Sequence, residues 1–155
     1  MVSVAIFDYG AGNIFSLKNS LEQAGASVDV ITSFDKPNVY SGLLLPGVGN
    51  FDPAIKSINE NSKTKFHDFV KEDTPVLGIC LGMEMFFEKS EEGIEKGFNV
   101  IDGEIVILPS TMKVPHMGWN NLEIKKPGII LEDVADDSWV YFVHSYRAKP
   151  TFDDV

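Results

Sequence analysis

The chain of 155 residues holds one cysteine, and its surroundings are Gly78-Ile79-Cys80-Leu81-Gly82. Gly-x-nucleophile-x-Gly is the spacing of a nucleophile elbow. A sharp strand-to-helix turn there forces the nucleophile into strained backbone geometry, so the residues two before and two after it must be small. A helix beginning at Leu81 would aim free N–H groups and the positive end of its dipole at the sulfur. This favours thiolate over thiol and supplies donors for the oxyanion of a tetrahedral intermediate. Cys80 is also readable as a small buried residue, the ordinary fate of a free cysteine. The paired glycines, the apolar run before them and the helical pattern after them favour the elbow.

Two further glycine turns follow apolar runs. Pro46-Gly47-Val48-Gly49 reads either as a second source of oxyanion donors, its glycines permitting unusual backbone directions, or as an ordinary turn. Gly10-Ala11-Gly12 lacks the third glycine of a dinucleotide fingerprint, and no Gly-Lys-Ser/Thr follows it, which excludes Rossmann and P-loop readings. A cysteine nucleophile needs a base, and there are three histidines. His67, in Lys65-Phe66-His67-Asp68, reads as a solvated helix residue. His116 opens a strand or turn in Val114-Pro115-His116-Met117-Gly118-Trp119-Asn120. His144 ends an apolar strand before Ser145-Tyr146-Arg147; by physics alone it is the first choice as base, with pocket wall as the alternative.

The elements that must position these groups alternate strand and helix from the start. Val2 to Phe7 is a nearly continuous apolar run, as a buried parallel strand would be. Asn13 is a helix N-cap ahead of Ile14, Leu17, Leu21 and Ala24 at helical spacing, and Gly25 is the stop. Val28 to Ile31 and Gly42 to Leu45 are the next strands, and Asp52-Pro53 reads as an N-cap and first helical residue. Phe66, Phe69 and Val70 mark an amphipathic helix, Val76 to Ile79 a short strand, and Leu81 to Phe87 the helix behind it. From Phe98 to Leu108, Val114 to Ile124 and Trp139 to Val143 the pattern is strand without intervening helix. The expectation is an open, mainly parallel α/β sheet with flanking helices and an added antiparallel portion. In such sheets ligands sit at the carboxyl ends of strands, and the Gly10, Pro46 and Cys80 motifs all fall at such ends.

Composition narrows the function. Thirteen basic against 23 acidic side chains give −10, which excludes a general nucleic-acid binder, since phosphates require clustered cations. No apolar segment is long enough to cross a bilayer, and the opening run meets Asp8 at once, unlike a signal peptide. A single cysteine forms neither an internal disulfide nor a thiolate cluster, so a cytoplasmic setting and no structural metal are expected.

Asp8-Tyr9-Gly10-Ala11-Gly12-Asn13, Pro46-Gly47-Val48-Gly49, Gly78-Ile79-Cys80-Leu81-Gly82-Met83, Pro115-His116-Met117-Gly118-Trp119-Asn120 and Val143-His144-Ser145-Tyr146 occur in that order. Together they resemble the glutamine amidotransferase subunit of imidazole glycerol phosphate synthase, of the class I, triad type, over essentially the whole chain. The resemblance implies a flavodoxin-like fold in a single domain and a glutaminase that uses no cofactor. Cys80 would attack the side-chain amide of glutamine. Ammonia would pass to a (β/α)8-barrel cyclase, the partner in a heterodimer, to make imidazole glycerol phosphate in histidine biosynthesis. It further implies that Gly47, Val48, Gly49 and Leu81 serve the oxyanion hole, that Glu84, His144, Ser145 and Tyr146 meet glutamine, and that the Asn13 and Trp119 regions meet the cyclase. On this view His144 is pocket wall.

Two departures stand out. Position 84, often Gln in the family, is Glu; a carboxylate still accepts from the substrate ammonium but loses the amide's donor. The family's base and its orienting carboxylate lie in a His-Pro-Glu segment, and no His-x-Glu occurs among these residues. The expectation is therefore a fragment of a longer protein, with weak activity on its own and apolar core surface left uncovered. The alternatives are an ammonia donor for a surface-sugar amidination pathway and a non-catalytic binding module of amidotransferase type.

Overall fold

The computed structural model describes residues 1–35, 39–58, 60–71, 74–126 and 128–151. Four parallel strands, β1 (Ser3–Phe7), β2 (Ser27–Ile31), β3 (Gly42–Leu45) and β4 (Val76–Gly78), form one sheet in the order β2-β1-β3-β4. Its register places Ile6 beside Val30 and Leu44, and Leu45 beside Gly78. Every residue of β3 is buried, which is why its sequence is an unbroken apolar run and not an alternating one.

The first helix, α1 (Ile14–Gln23), starts as its sequence predicts: the Asn13 side chain accepts from the Ser16 N–H at 3.1 Å. It ends before Gly25, whose φ of +90° carries the chain out of the helix. Ile14, Leu17 and Leu21 pack on Ile6, Val28 and Leu44 of the sheet. Phe34, Phe66 and Phe98 form a second core, with ring centroids 5.5 Å apart for the first pair and 4.1 Å for the second. Phe66 and Phe69 come from α3 (Glu60–Lys71) and are fully buried, as its amphipathic spacing predicts.

Three boundaries differ from expectation. Asp52 does not cap: α2 runs Phe51–Ser57 with Asn50 as its N-cap residue. The Asp52 carboxylate instead accepts from the N–H groups of Ile94 and Glu95 at 3.0 Å each, pinning a distant loop. The helix after the cysteine, α4, is only Leu81–Glu84. It stops because the Met85 and Phe86 carbonyls turn to the following loop, accepting from Phe98, Val100 and Ile101. The strand expected from Phe98 contracts to β6 (Gly103–Ile107), after positive φ at Asn99 and Gly103. A two-residue β5 (Lys89–Ser90) and β9 (Tyr146–Pro150), absent from the sequence reading, flank β6 in the order β5-β6-β9.

The chain divides into two units, Met1–Val106 with Ala148–Val155, and Ile107–Arg147. The second unit contains the antiparallel pair β7 (His116–Asn121) and β8 (Trp139–His144), the added antiparallel portion that the sequence implies. Among the described residues no helix is long and apolar enough to cross a membrane.

Candidate active site

Cys80 departs from ordinary backbone geometry. Immediately before α4 it adopts φ +54° and ψ −115°, a region costly for any residue with a Cβ. It is exposed to solvent. Its flanking glycines are small of necessity: a Cβ on Gly78 would lie 2.5 Å from the Met83 Cα, and one on Gly82 would lie 1.7 Å from the Leu45 carbonyl oxygen. The elbow read from spacing is present.

The three glycine motifs converge within the first unit. A Cβ on Gly47 would meet the Tyr9 hydroxyl at 2.2 Å and the Leu81 Cβ at 2.8 Å, and one on Gly12 would meet Pro46 at 3.3 Å. The Pro46-Gly47 turn therefore lies against the elbow, with Val48 exposed and Gly49 at φ +110°. Tyr9, to which sequence reasoning gave no role, holds this arrangement: its buried hydroxyl donates to the Pro46 carbonyl at 2.6 Å. Burial, then the proximity of Cys80 and Glu84, pushes its phenol well above the usual range. The signal available in the sequence was a tyrosine two residues after a buried strand.

The electrostatics correct one expectation. A hydrogen bond from the Leu81 N–H pulls the Cys80 thiol toward ionisation, as the helix start predicted, but the net shift is upward. Withdrawal of the sulfur from water is the largest cause, and the acidic side chains of Glu84 and Glu92 add to it. Glu92 arrives by tertiary folding, its carboxylate accepting the Phe51 N–H at 2.7 Å at the start of α2. No local pattern marks it.

Glu84 is buried at 7% exposure. Burial first, and Glu92 second, raise its carboxyl from 4.5 to about 7. The donor lost on replacing glutamine is thus restored below that pH, because a protonated carboxyl both donates and accepts. The folded state binds this proton more tightly than the unfolded chain, so stability falls as pH rises from 4.5 to about 7 and then levels. Glu84→Gln is expected to stabilise the protein by about 2 kcal/mol at pH 8, a figure discounted for solvent screening. Near pH 4.5 it should change little. Urea denaturation at the two pH values measures this, and an equal gain at both would assign the effect to packing instead.

In the second unit His144 ends β8, paired directly with His116 of β7. The two rings are hydrogen-bonded, His116 Nδ1 to His144 Nε2 at 3.1 Å. Ser145 is half-buried, and its carbonyl accepts from the Leu108 N–H at 2.9 Å; Tyr146, also half-buried, begins β9. Asn13 is exposed beside Phe15, which is 74% exposed. Trp119 stacks edge-on against Tyr141 at 5.6 Å. With Met117, Val143 and Trp139 these rings form one face of the β7–β8 pair, all more than half exposed. His67 lies half-exposed on α3, consistent with a solvated residue. Among the described residues no cluster of side chains suits a metal ion.

Residues 5–154 match the family model for class-I glutamine amidotransferases. The chain is 43% identical over 160 residues to the imidazole glycerol phosphate synthase subunit HisH of Halalkalibacterium halodurans, covering 98% of this chain and 75% of that protein. The corresponding protein of Aquifex aeolicus is 40% identical, with 97% and 74% covered. That of Cyanophora paradoxa is 39% identical, with 96% and 71% covered. Among solved structures, PurLQS from Thermotoga maritima superposes with a TM-score of 0.72 at 17% identity, covering 99% of this chain and 71% of that one. A glutamine amidotransferase from the same organism gives 0.67 at 17%, with 96% and 63% covered.

Proposed function

Because the chain belongs to the class-I glutamine amidotransferase family, we propose that it is the glutaminase subunit of an imidazole glycerol phosphate synthase, supplying ammonia for histidine biosynthesis. The observation that carries the chemistry is Cys80 at φ +54° at the head of α4, between two glycines that admit no side chain. The likeness to HisH proteins at about 40% identity supports this acceptor pathway over sugar amidination.

Cys80 Sγ attacks the side-chain carbonyl carbon of glutamine, and the oxygen gains negative charge. The Leu81 N–H and the backbone of Gly47, Val48 and Gly49 are the donors assigned to that oxygen. The C–N bond breaks, ammonia leaves with the thiol's proton, and a thioester remains. Water attacks it, releasing glutamate and restoring the thiol. The resemblance assigns Glu84 to glutamine and, as a separate assignment, the backbone of His144, Ser145 and Tyr146. The proton transfers need a base, which the family resemblance assigns to a His-Pro-Glu segment, a sequence that residues 1–155 do not contain.

The partner in this reading is a (β/α)8-barrel cyclase in the cytoplasm, bound as a heterodimer. Supporting it are two exposed apolar surfaces, Phe15 beside Asn13 and the Trp119 face of β7–β8, since patches of this kind mark interaction sites. Residues 1–155 act in that complex as one amidotransferase domain. The test is glutamate release by the product of the complete coding sequence, mixed with the cyclase partner and its nucleotide substrate. Stoichiometric glutamate and imidazole glycerol phosphate are expected; no glutamate with Cys80 intact would remove the glutaminase assignment.

A further inference from the structure

The imidazole pair of the second unit has an orientation that hydrogen-bond chemistry fixes. His144 Nδ1 lies 2.8 Å from the Tyr146 carbonyl oxygen. A carbonyl oxygen only accepts, so Nδ1 carries the proton. In the neutral ring Nε2 then holds a lone pair. The His116 Nδ1 at 3.1 Å is therefore the donor to it. The two bonds form a relay, from His116 on β7 through the His144 ring to the backbone of Tyr146. Both histidines are half-buried, and Phe142 packs beside them with ring centroids 5.2 Å from His116 and 5.7 Å from His144. The Ser145 carbonyl is held separately by the Leu108 N–H. The turn at 145–146 is thus fixed at two successive carbonyls, one by main chain and one by the imidazole relay.

We infer that His116 is a positioning residue for glutamine: its Nδ1–H holds His144 in the one tautomer that can donate to Tyr146, and so sets the backbone of 144–146. This rests on the glutamine-binding role proposed for that segment and adds a residue outside it. With His116 removed, His144 Nε2 has lost its donor, the ring is free to exchange tautomers, and the Tyr146 carbonyl no longer has a fixed imidazole donor. Substrate binding suffers while the chemistry at Cys80 does not.

The experiment compares wild type, His116→Ala and His116→Asn in the complete gene product bound to the cyclase partner. His116→Ala is expected to raise KM for glutamine about 3- to 10-fold, the worth of one hydrogen bond, with kcat nearly unchanged. His116→Asn, whose amide nitrogen stands where Nδ1 does, is expected to recover most of that loss. Independently of activity, the imidazole ¹H–¹⁵N spectrum of the wild-type protein is expected to show His144 as the Nδ1–H tautomer. An Nε2–H tautomer would overturn the relay. Unchanged KM in His116→Ala, or a fall in kcat alone, would overturn the positioning role. A wild-type complex that hydrolyses no glutamine would overturn the glutaminase reading itself, and the spectrum would still separate that failure from failure of the relay.

Discussion

Cys80→Ala is expected to abolish glutamine-dependent synthesis while leaving ammonia-dependent synthesis intact. No other thiol exists in the chain to substitute, and water cannot replace a covalent nucleophile in a site shaped to form a thioester. Residues that act as a catalytic unit cost on the order of 10³ to 10⁶ in rate when one is removed. The substitution is mild structurally: Cys80 is exposed, and alanine carries the same Cβ through the φ of +54°. The strain is therefore common to both proteins, and melting temperatures should nearly coincide. Glutamate release and product formation are measured with glutamine, then with an ammonium salt at alkaline pH. Loss of both activities would mean the variant no longer docks productively with its partner. Retention of glutamine turnover would place the nucleophile elsewhere.

Much of this was legible because backbone sterics write themselves into composition. Gly78 and Gly82 flank a cysteine for a reason that needs no alignment: a side chain at either position collides with main chain. The buried β3 likewise reads as an unbroken apolar run, and Asn13 as a cap, since its side chain satisfies the Ser16 N–H. What could not be read is what arrives from afar. Burial of the sulfur, then Glu84 and Glu92, raise the Cys80 thiol, and Glu92 reaches the site across a loop closed on Phe51, so none of this is written in the elbow's own pattern. Asp52 has the composition of an N-cap but is used against residues 94 and 95. The His116–His144 pair depends on strand register, which separation along the chain does not reveal.

Gly82→Ala is expected to be the most destructive single methyl group that can be added near the site. The new Cβ would stand 1.7 Å from the Leu45 oxygen and 2.6 Å from its carbonyl carbon. Both are main chain, so no side-chain rotation relieves the contact. The Leu45 oxygen also accepts from the Ile79 N–H at 2.9 Å, and Leu45 pairs with Gly78. Moving it therefore weakens the β3–β4 edge and shifts the adjoining Pro46-Gly47 turn away from Cys80. Overpacking against fixed backbone costs about 3 kcal/mol or more, a large share of the 5–15 kcal/mol that roughly bounds such a domain's stability. A fall in melting temperature of about 10 °C is expected, with loss of glutaminase activity in whatever fraction remains folded. Gly128→Ala is the control, since a Cβ there meets nothing within 4 Å, and it should be nearly neutral. If Gly82→Ala melted with the wild type, α4 would have to pack farther from β3 than this geometry allows. The tight elbow that strains Cys80 would then be lost as the source of its reactivity.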